Sequence, residues 1–403
     1  MKNVIISDTT LRDGLQAPGI YLSFKQRLEI AKLLKQAGIR EIEAGIPAAG
    51  KEEMKHLEKL IETLHDDTFR IITWNRGKKE DIRKSISCNA KAINISFPVS
   101  DIMIGKKLRK DKKWVMTQLA SCLEFAKEKD LYVSIGCEDA TRSDILFLIN
   151  FIKLAKKLGA DRVRIADTTG CMTPSKIKNL IKRIKDNIEI PIEIHTHNDF
   201  GLATANALAG VEAEVNFVST SVNGIGERAG NASIEEIATS LEILYKIKTG
   251  INLKLLPTVS STLSIFSGIK IPQNKPIIGE NVFTSKSGIH IDGILKEQKN
   301  YISLKPELFG RNLKFYIGYY SGVKTVKKLV KKIGLNLTDK EIRKLHLLLF
   351  ETGKSFTIDE LKNLILKENF GRDTRNEKGR KTNTYNKPNI QRSKNDKRLC
   401  KHR

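Results

Sequence analysis

Two rhythms alternate along the first 250 residues. Short strand-like runs recur: Val4–Asp8, Glu41–Ala44, Phe69–Trp74, Ala92–Ser96, Tyr132–Cys137, Arg162–Asp167, a run opening at Ile192, and Val215–Thr220. Between them lie longer stretches with apolar residues three and four apart, the spacing of one helix face. The first of these opens at Ser23-Phe24-Lys25-Gln26, which has the form of a capping box. It continues through Phe24, Leu28, Ala31 and Leu34 and stops at Gly38. Further helices are predicted over Glu52–Leu64, Lys79–Ile86, Trp114–Lys129, Asp144–Leu158, Pro174–Asn187, Leu202–Ala213 and Ile234–Ile247.

Eight strand–helix units within about 250 residues are what a closed (β/α)8 barrel needs. A doubly wound sheet would be expected to carry a glycine-rich GxGxxG turn after its first strand, and none is present. The predicted class is therefore α/β, a TIM barrel over 1–250. Beyond it the pattern changes. Pro257, Pro272 and Pro276 interrupt Ile251–Val282, Ser287–Gly293 is a compact polar-glycine segment, and helices are expected over Lys324–Ile333, Asp339–Leu349 and Ile358–Glu368. Residues 251–370 are thus read as a small helical appendage. Residues 371–403, almost without apolar side chains, are read as a disordered basic tail.

The formal charge of +25 raises the question of nucleic acid. Segment 371–403 holds 12 Lys/Arg against 3 Asp/Glu, leaving 59 against 43 for the rest. The remaining lysines are spread over helix faces such as Lys153–Leu158, so the distribution argues against RNA or DNA binding. No apolar run approaches the roughly 20 residues of a membrane span. The N-terminus enters a strand directly, so no secretory leader is expected. The five cysteines lack CxxC spacing and are odd in number, which predicts reduced thiols in a cytoplasmic protein.

A barrel keeps its chemistry just after the strands, at one end. There the chain places Asp8-Thr9-Thr10-Leu11-Arg12-Asp13-Gly14, Glu43, Glu138-Asp139, Asp167-Thr168-Thr169-Gly170, His195-Thr196-His197-Asn198-Asp199 and Asn223 to Asn231. In an extended strand, positions i and i+2 share a side, so His195 and His197 can present two imidazoles to one point. With Asp13 they make a three-ligand set that leaves a divalent ion open to substrate; Asn231 can add an oxygen. Arg12 is placed to stabilise an alkoxide developing on a ketone, with Glu43 as its orienting partner. Glu138 and His290 are acid–base candidates, although Glu138 alone reads equally well as a structural carboxylate. Gly170, Gly224, Gly226 and Gly230 suit either close approach to a ligand or tight turns.

Taken together, these stretches resemble the DRE-TIM metallolyase superfamily, which includes homocitrate, 2-isopropylmalate and citramalate synthases and hydroxymethylglutaryl-CoA lyase. Asp8–Gly14, His195–Gly201 and Asn223–Asn231 carry the likeness, and Ser287–Gly293 carries it toward the synthases. Gln16–Gly19, Phe97–Asp101 and Glu138–Arg142 look most like homocitrate synthase of the nitrogenase-cofactor type. The resemblance implies Asp13, His195 and His197 as ligands of a divalent metal, with Asn231 near it. It also implies Arg12 as the catalytic arginine, Glu43 as its partner, and Glu138, His290 and Tyr301 as the acid–base group. Gln16 and Thr168 fall at substrate-contacting positions. The implied reaction joins acetyl-CoA to a 2-oxo acid, 2-oxoglutarate first among them. In the synthases His290 and Tyr301 come from the neighbouring subunit, which implies a domain-exchanged homodimer.

Three departures stand out. Leu15 replaces the glutamate usual in synthases and matches the lyases. Ser285-Lys286 stands where His-Glu is common, and Gly318-Tyr319-Tyr320-Ser321-Gly322 replaces a Gly-Lys-His-Ser-Gly element. No leucine-feedback domain is expected. Other 2-oxo acceptors, a lyase and a non-catalytic binding protein using the basic tail are the competing readings; the intact set of Arg12, Asp13, Glu138, His195, His197 and His290 argues against the last.

Overall fold

The computed structural model describes residues 4–64 and 66–371. The predicted tail, save Gly371, lies outside them. The barrel strands and their helices follow in chain order as β1 (Ile5–Asp8), α1 (Phe24–Gln36), β2 (Glu41–Gly45), α2 (Lys51–Leu64), β3 (Arg70–Arg76), α3 (Lys79–Ser87), β4 (Ala92–Pro98) and α4 (Lys112–Lys127). The second half comprises β5 (Tyr132–Glu138), α5 (Ile145–Lys157), β6 (Arg162–Asp167), α6 (Pro174–Lys185), β7 (Ile192–Thr196), α7 (Ala203–Glu212), β8 (Phe217–Thr220) and α8 (Ile234–Ile243). The eight strands close in sequence order, with β8 parallel to β1 from Ile5 against Phe217 to Asp8 against Thr220. This is a TIM barrel.

Local sequence sets the helix ends. Ser23 caps α1, with Gln26 returning the bond to complete the predicted capping box. Asp111 and Asp144 cap α4 and α5. The outward faces of the strands and the inner faces of the helices form one apolar layer. Ile42, Ile93, Ile95, Val133, Ile135, Val163, Ile165 and Ile194 are buried there against such residues as Leu34, Leu57, Leu119, Phe151 and Ile181. Each such side chain contributes about 1.5–3 kcal/mol when removed from water.

The inward faces differ. Barrel interiors are usually filled by branched apolar residues, but here β2, β6 and β7 contribute Glu41, Glu43, Arg162, Arg164 and Glu193, all buried. Arg162 bonds Glu41 at 2.6 Å and lies 3.1 Å from Glu193 Oε2, an ion pair off the angle of a hydrogen bond. Arg164 donates to Glu43 and Glu193, each at 2.8 Å. The barrel is thus cored by an ionic ladder.

The chain divides into two compact units, one running to Ser285 and including Lys299–Lys314, the other made of Lys286–Gln298 and the chain from Phe315 onward. The first contains a helix the sequence reading did not predict, Leu256–Ser267, with Leu256, Val259 and Leu263 buried. Pro257 sits in its first turn, where the ring costs no hydrogen bond. In the second unit the polar-glycine segment Ser287–Gly293 forms the start of a helix, Gly288–Lys296. Helices Val323–Lys332, Asp339–Glu351 and Ile358–Lys367 follow within two residues of expectation. Strand Lys314–Gly318 pairs antiparallel with Ser355–Thr357.

Candidate active site

Strand β7 ends at Thr196, one residue short of His197. The chain stays extended beyond it because His197 bridges antiparallel to Asn231, and Asn198 N–H donates to Gly230 at 2.9 Å. The two imidazoles therefore converge as predicted, with Nε2 atoms 3.2 Å apart. His195 Nδ1 lies 2.8 Å from Ser219 Oγ, which leaves Nε2 for the cluster. Asp13 Oδ2 is 3.8 Å from His195 Nε2, and one ligand atom from each of the three residues lies within 4.8 Å of the others. Atoms bound about 2.1 Å from a common ion are separated on this scale.

The turn after β8 supplies the fourth residue. Asn231 Nδ2 donates to Asp13 Oδ1 at 2.8 Å and to Ile225 O at 3.1 Å. Its Oδ1 is buried and makes no hydrogen bond among the described residues, so an oxygen that could serve as a ligand is left unanswered beside the cluster. Gly226 permits this, since a β-carbon there would lie 2.1 Å from Asn231 Nδ2 and 2.7 Å from Asp13 Oδ1. Gly224 and Gly230 serve the turn instead. Both have positive φ, and a β-carbon on Gly230 would meet Gly224 O at 2.0 Å.

The electrostatics suit a cation. Burial lowers the pKa of both imidazoles, as does the positive charge of Arg12, although Asp13 opposes it. Neutral imidazole is the form that binds metal. Burial alone would raise the Asp13 carboxyl, but the Arg12 guanidinium and the hydrogen bond from Asn231 hold it well below the usual range. The donor set, its neutral imidazoles and the free Asn231 oxygen fit a divalent ion.

Arg12 is clamped between carboxylates. Its Nε donates to Glu43 and its Nη1 to Asp13, and its Cζ lies 6.0 Å from the Trp74 ring. Glu43 is therefore the predicted partner, though it is shared: its other oxygen accepts from Arg164. Burial would raise Glu43, yet Arg12 and Arg164 bring it down to about 2.

A cavity of about 300 Å3 opens over these groups. Arg12, Asp13, Gln16, Glu138, Thr168, His195 and His197 line it, together with Trp74, Asn94, Ser96, Gly136, Arg164, Glu227 and Arg228. Glu138 is held by Lys107 Nζ at 2.6 Å. Thr168 Oγ1 accepts from Asp139 N–H at 2.8 Å, and Asp139, at φ 60°, is fixed by Ser100 and Arg142. The loops after β4, β5 and β6 are thereby tied into one rim. Tyr301, about half exposed, is not among the lining residues, and His290 lies in the other compact unit.

Sequence reasoning passed over Lys107, Asn94, Arg164 and Glu193. A signal existed for the last two: charged residues at every second position of apolar strands, as in Arg162-Val163-Arg164 and Glu193-Ile194-His195.

A family model described as HMGL-like matches residues 3–263, and one described as homocitrate synthase post-HMGL domain-like matches 277–352. The chain is 42% identical to 2-isopropylmalate synthase 2 of Caldanaerobacter subterraneus subsp. tengcongensis, over 84% of this chain and 88% of that one. It is 40% identical to (R)-citramalate synthase of Methanocaldococcus jannaschii, over 85% and 70%. It is 36% identical to homocitrate synthase 1 of Nostoc sp., over 93% and 100%.

Proposed function

This chain belongs to the HMGL-like family, and we propose that it is a homocitrate synthase, condensing acetyl-CoA with 2-oxoglutarate and releasing homocitrate and CoA. The observation that carries the reading is the convergence of Asp13, His195, His197 and Asn231 beside a buried, carboxylate-clamped Arg12. The match to a post-HMGL domain of homocitrate synthases at 277–352 supports a synthase over a lyase.

Asp13, His195, His197 and Asn231 would hold a divalent ion, which when bound supplies Lewis acidity to a ketone and its neighbouring carboxylate. Arg12, fixed by Glu43 and Asp13, keeps its charge at the mouth of the barrel, where an alkoxide would form. A donor already held in place costs no reorganisation as charge develops. Glu138, on the cavity wall, would take a proton from the acetyl methyl, with Lys107 steadying its carboxylate. His290 and Tyr301 are assigned to the same proton traffic, acting across a domain-exchanged homodimer. Hydrolysis of the resulting thioester makes the reaction irreversible.

The 42% identity to an isopropylmalate synthase favours a second reading, in which the acceptor is 2-oxoisovalerate. Thiol release from acetyl-CoA, measured with 2-oxoglutarate, 2-oxoisovalerate, pyruvate and oxaloacetate, separates the two. Highest kcat/KM with 2-oxoglutarate is expected. Thiol release with no acceptor in the panel overturns the proposal.

A further inference from the structure

The floor of the catalytic cavity carries polar atoms that the protein leaves unanswered. Asn94, on β4, is 1% exposed, yet neither Nδ2 nor Oδ1 makes a hydrogen bond among the described residues. Arg164, on β6, is 3% exposed. Its Nε and Nη1 are taken by Glu193 and Glu43, while Nη2 is buried with no hydrogen-bond partner among the described residues. Both residues line the cavity over the ligand cluster. An amide and a guanidinium edge left unpaired in this way are costly unless something in the cavity answers them.

Three features bring these residues to one space. In register, Asn94 faces Ser134 on β5, and Gly136 on β5 faces Arg164 on β6. Gly136 has no side chain to fill the gap, and a β-carbon there would come within 3.3 Å of both Asn94 amide atoms. On β6, Ala166 pairs with His195, so Arg164 lies one inward step below it, about 6.7 Å along the strand. A 2-oxo acid held at the level of His195 has the remainder of its chain to place over that step.

We propose that Asn94 and Arg164 form a subsite for the far carboxylate of the acceptor, and so select 2-oxo dicarboxylic acids over branched apolar 2-oxo acids. The inference rests on the acetyl-CoA-condensing reading and names the substrate class of that same site. Glu43 and Glu193 stand close by, but each is paired with arginine, and Arg164 keeps a donor edge free. A carboxylate accepts from the Asn94 amide and from Nη2 together. An isopropyl group would instead cover both and leave them unpaired. Such a mismatch is the kind that gives large discrimination, because the cost falls on buried polar groups of the protein.

The test uses Asn94→Leu, and Asn94→Ser as a smaller alternative. The side chain holds no other part of the fold by hydrogen bonding, and melting curves check that both variants are folded. Calorimetric titration of 2-oxoglutarate and of 2-oxoisovalerate, in magnesium buffer without acetyl-CoA, reads acceptor preference directly. Thiol release reads it again in turnover. The wild type should bind 2-oxoglutarate more tightly, and the preference should shrink about tenfold or more in either variant. Equal binding of the two acids by wild type, or a preference that both variants retain within threefold, overturns the subsite and leaves only buried water answering these atoms. Should the binding preference follow Asn94 while no acid supports thiol release, the subsite stands and the condensation reading falls.

Discussion

Asn231 Nδ2 donates to Asp13 Oδ1 at 2.8 Å across 218 residues of sequence, so the turn after the last barrel strand orients the first ligand of the cluster. Gly226 makes room for this contact. Gly226→Ala places a methyl group 2.1 Å from Asn231 Nδ2 and 2.7 Å from Asp13 Oδ1, which requires Asn231 to move. Misplacing a group that orients a ligand typically costs 10–100-fold in metal affinity. The expected outcome is a folded protein with manganese affinity weakened in that range by titration calorimetry. Affinity equal to wild type would show that Asn231 does not orient the cluster.

Replacing His195 or His197 with Ala removes one donor outright. Metal retention after dialysis and thiol release should both be lost, since too few ligands remain to hold a divalent ion firmly. Elemental analysis of the dialysed variants checks this, and a variant that keeps both metal and near-normal turnover would place the metal elsewhere.

Asp8 offers a pH signature away from the ligands. Burial raises its carboxyl from 3.8 to about 7, against the hydrogen bonds from Thr10, and the nearby Glu235 adds to the rise. Because the folded carboxyl holds its proton to higher pH than the unfolded one, folding takes up a proton between about pH 4 and 7. Stability therefore falls as pH rises through that window and levels off above it, by up to about 4 kcal/mol at 1.36 kcal/mol per unit. Asp8→Asn should flatten the profile of Tm against pH. Below about pH 5, where the folded carboxyl is protonated and offers one acceptor and one donor as an amide does, the two proteins should differ least, and above about pH 7 the variant should be the more stable. Parallel profiles would assign the slope to other groups.

Asp13→Ala and His290→Ala chains test the exchanged homodimer. Each should be nearly inactive alone, one lacking a ligand and the other an acid–base group. Mixed after co-expression, they should recover up to about one working site per heterodimer, as the two-fold exchange requires. Flat activity across mixing ratios, with mixed dimers present by mass, would keep His290 with its own barrel.

The barrel was legible because strand and helix periods alternate cleanly, and the ligands because they sit where strands end. Elsewhere local pattern misled. Pro257 reads as a breaker in sequence, yet in the first turn of Leu256–Ser267 it is harmless. Gly288 and Gly293 are poor helix formers, yet Ile291 and Ile294 are buried and draw the segment into a helix. Arg164 and Glu193 were passed over because a single strand does not show which face turns inward. Their roles depend on pairing between strands, and that information is not local.

The ionic ladder also governs how this chain can be assembled. Glu41 meets Arg162, and Glu43 meets Arg164, each across 121 residues. A nascent chain with only its first five strands released carries Glu41 and Glu43 with neither buried arginine yet available. Arg12 and Arg70 already answer one oxygen of Glu43 and of Glu41, but closing over the pair before β6 arrives would leave the other oxygen of each without its arginine in a dry interior, at a cost of about 1–3 kcal/mol each. Half of this barrel is therefore no stable stopping point during synthesis, and its early strands must stay open to water until β6 arrives.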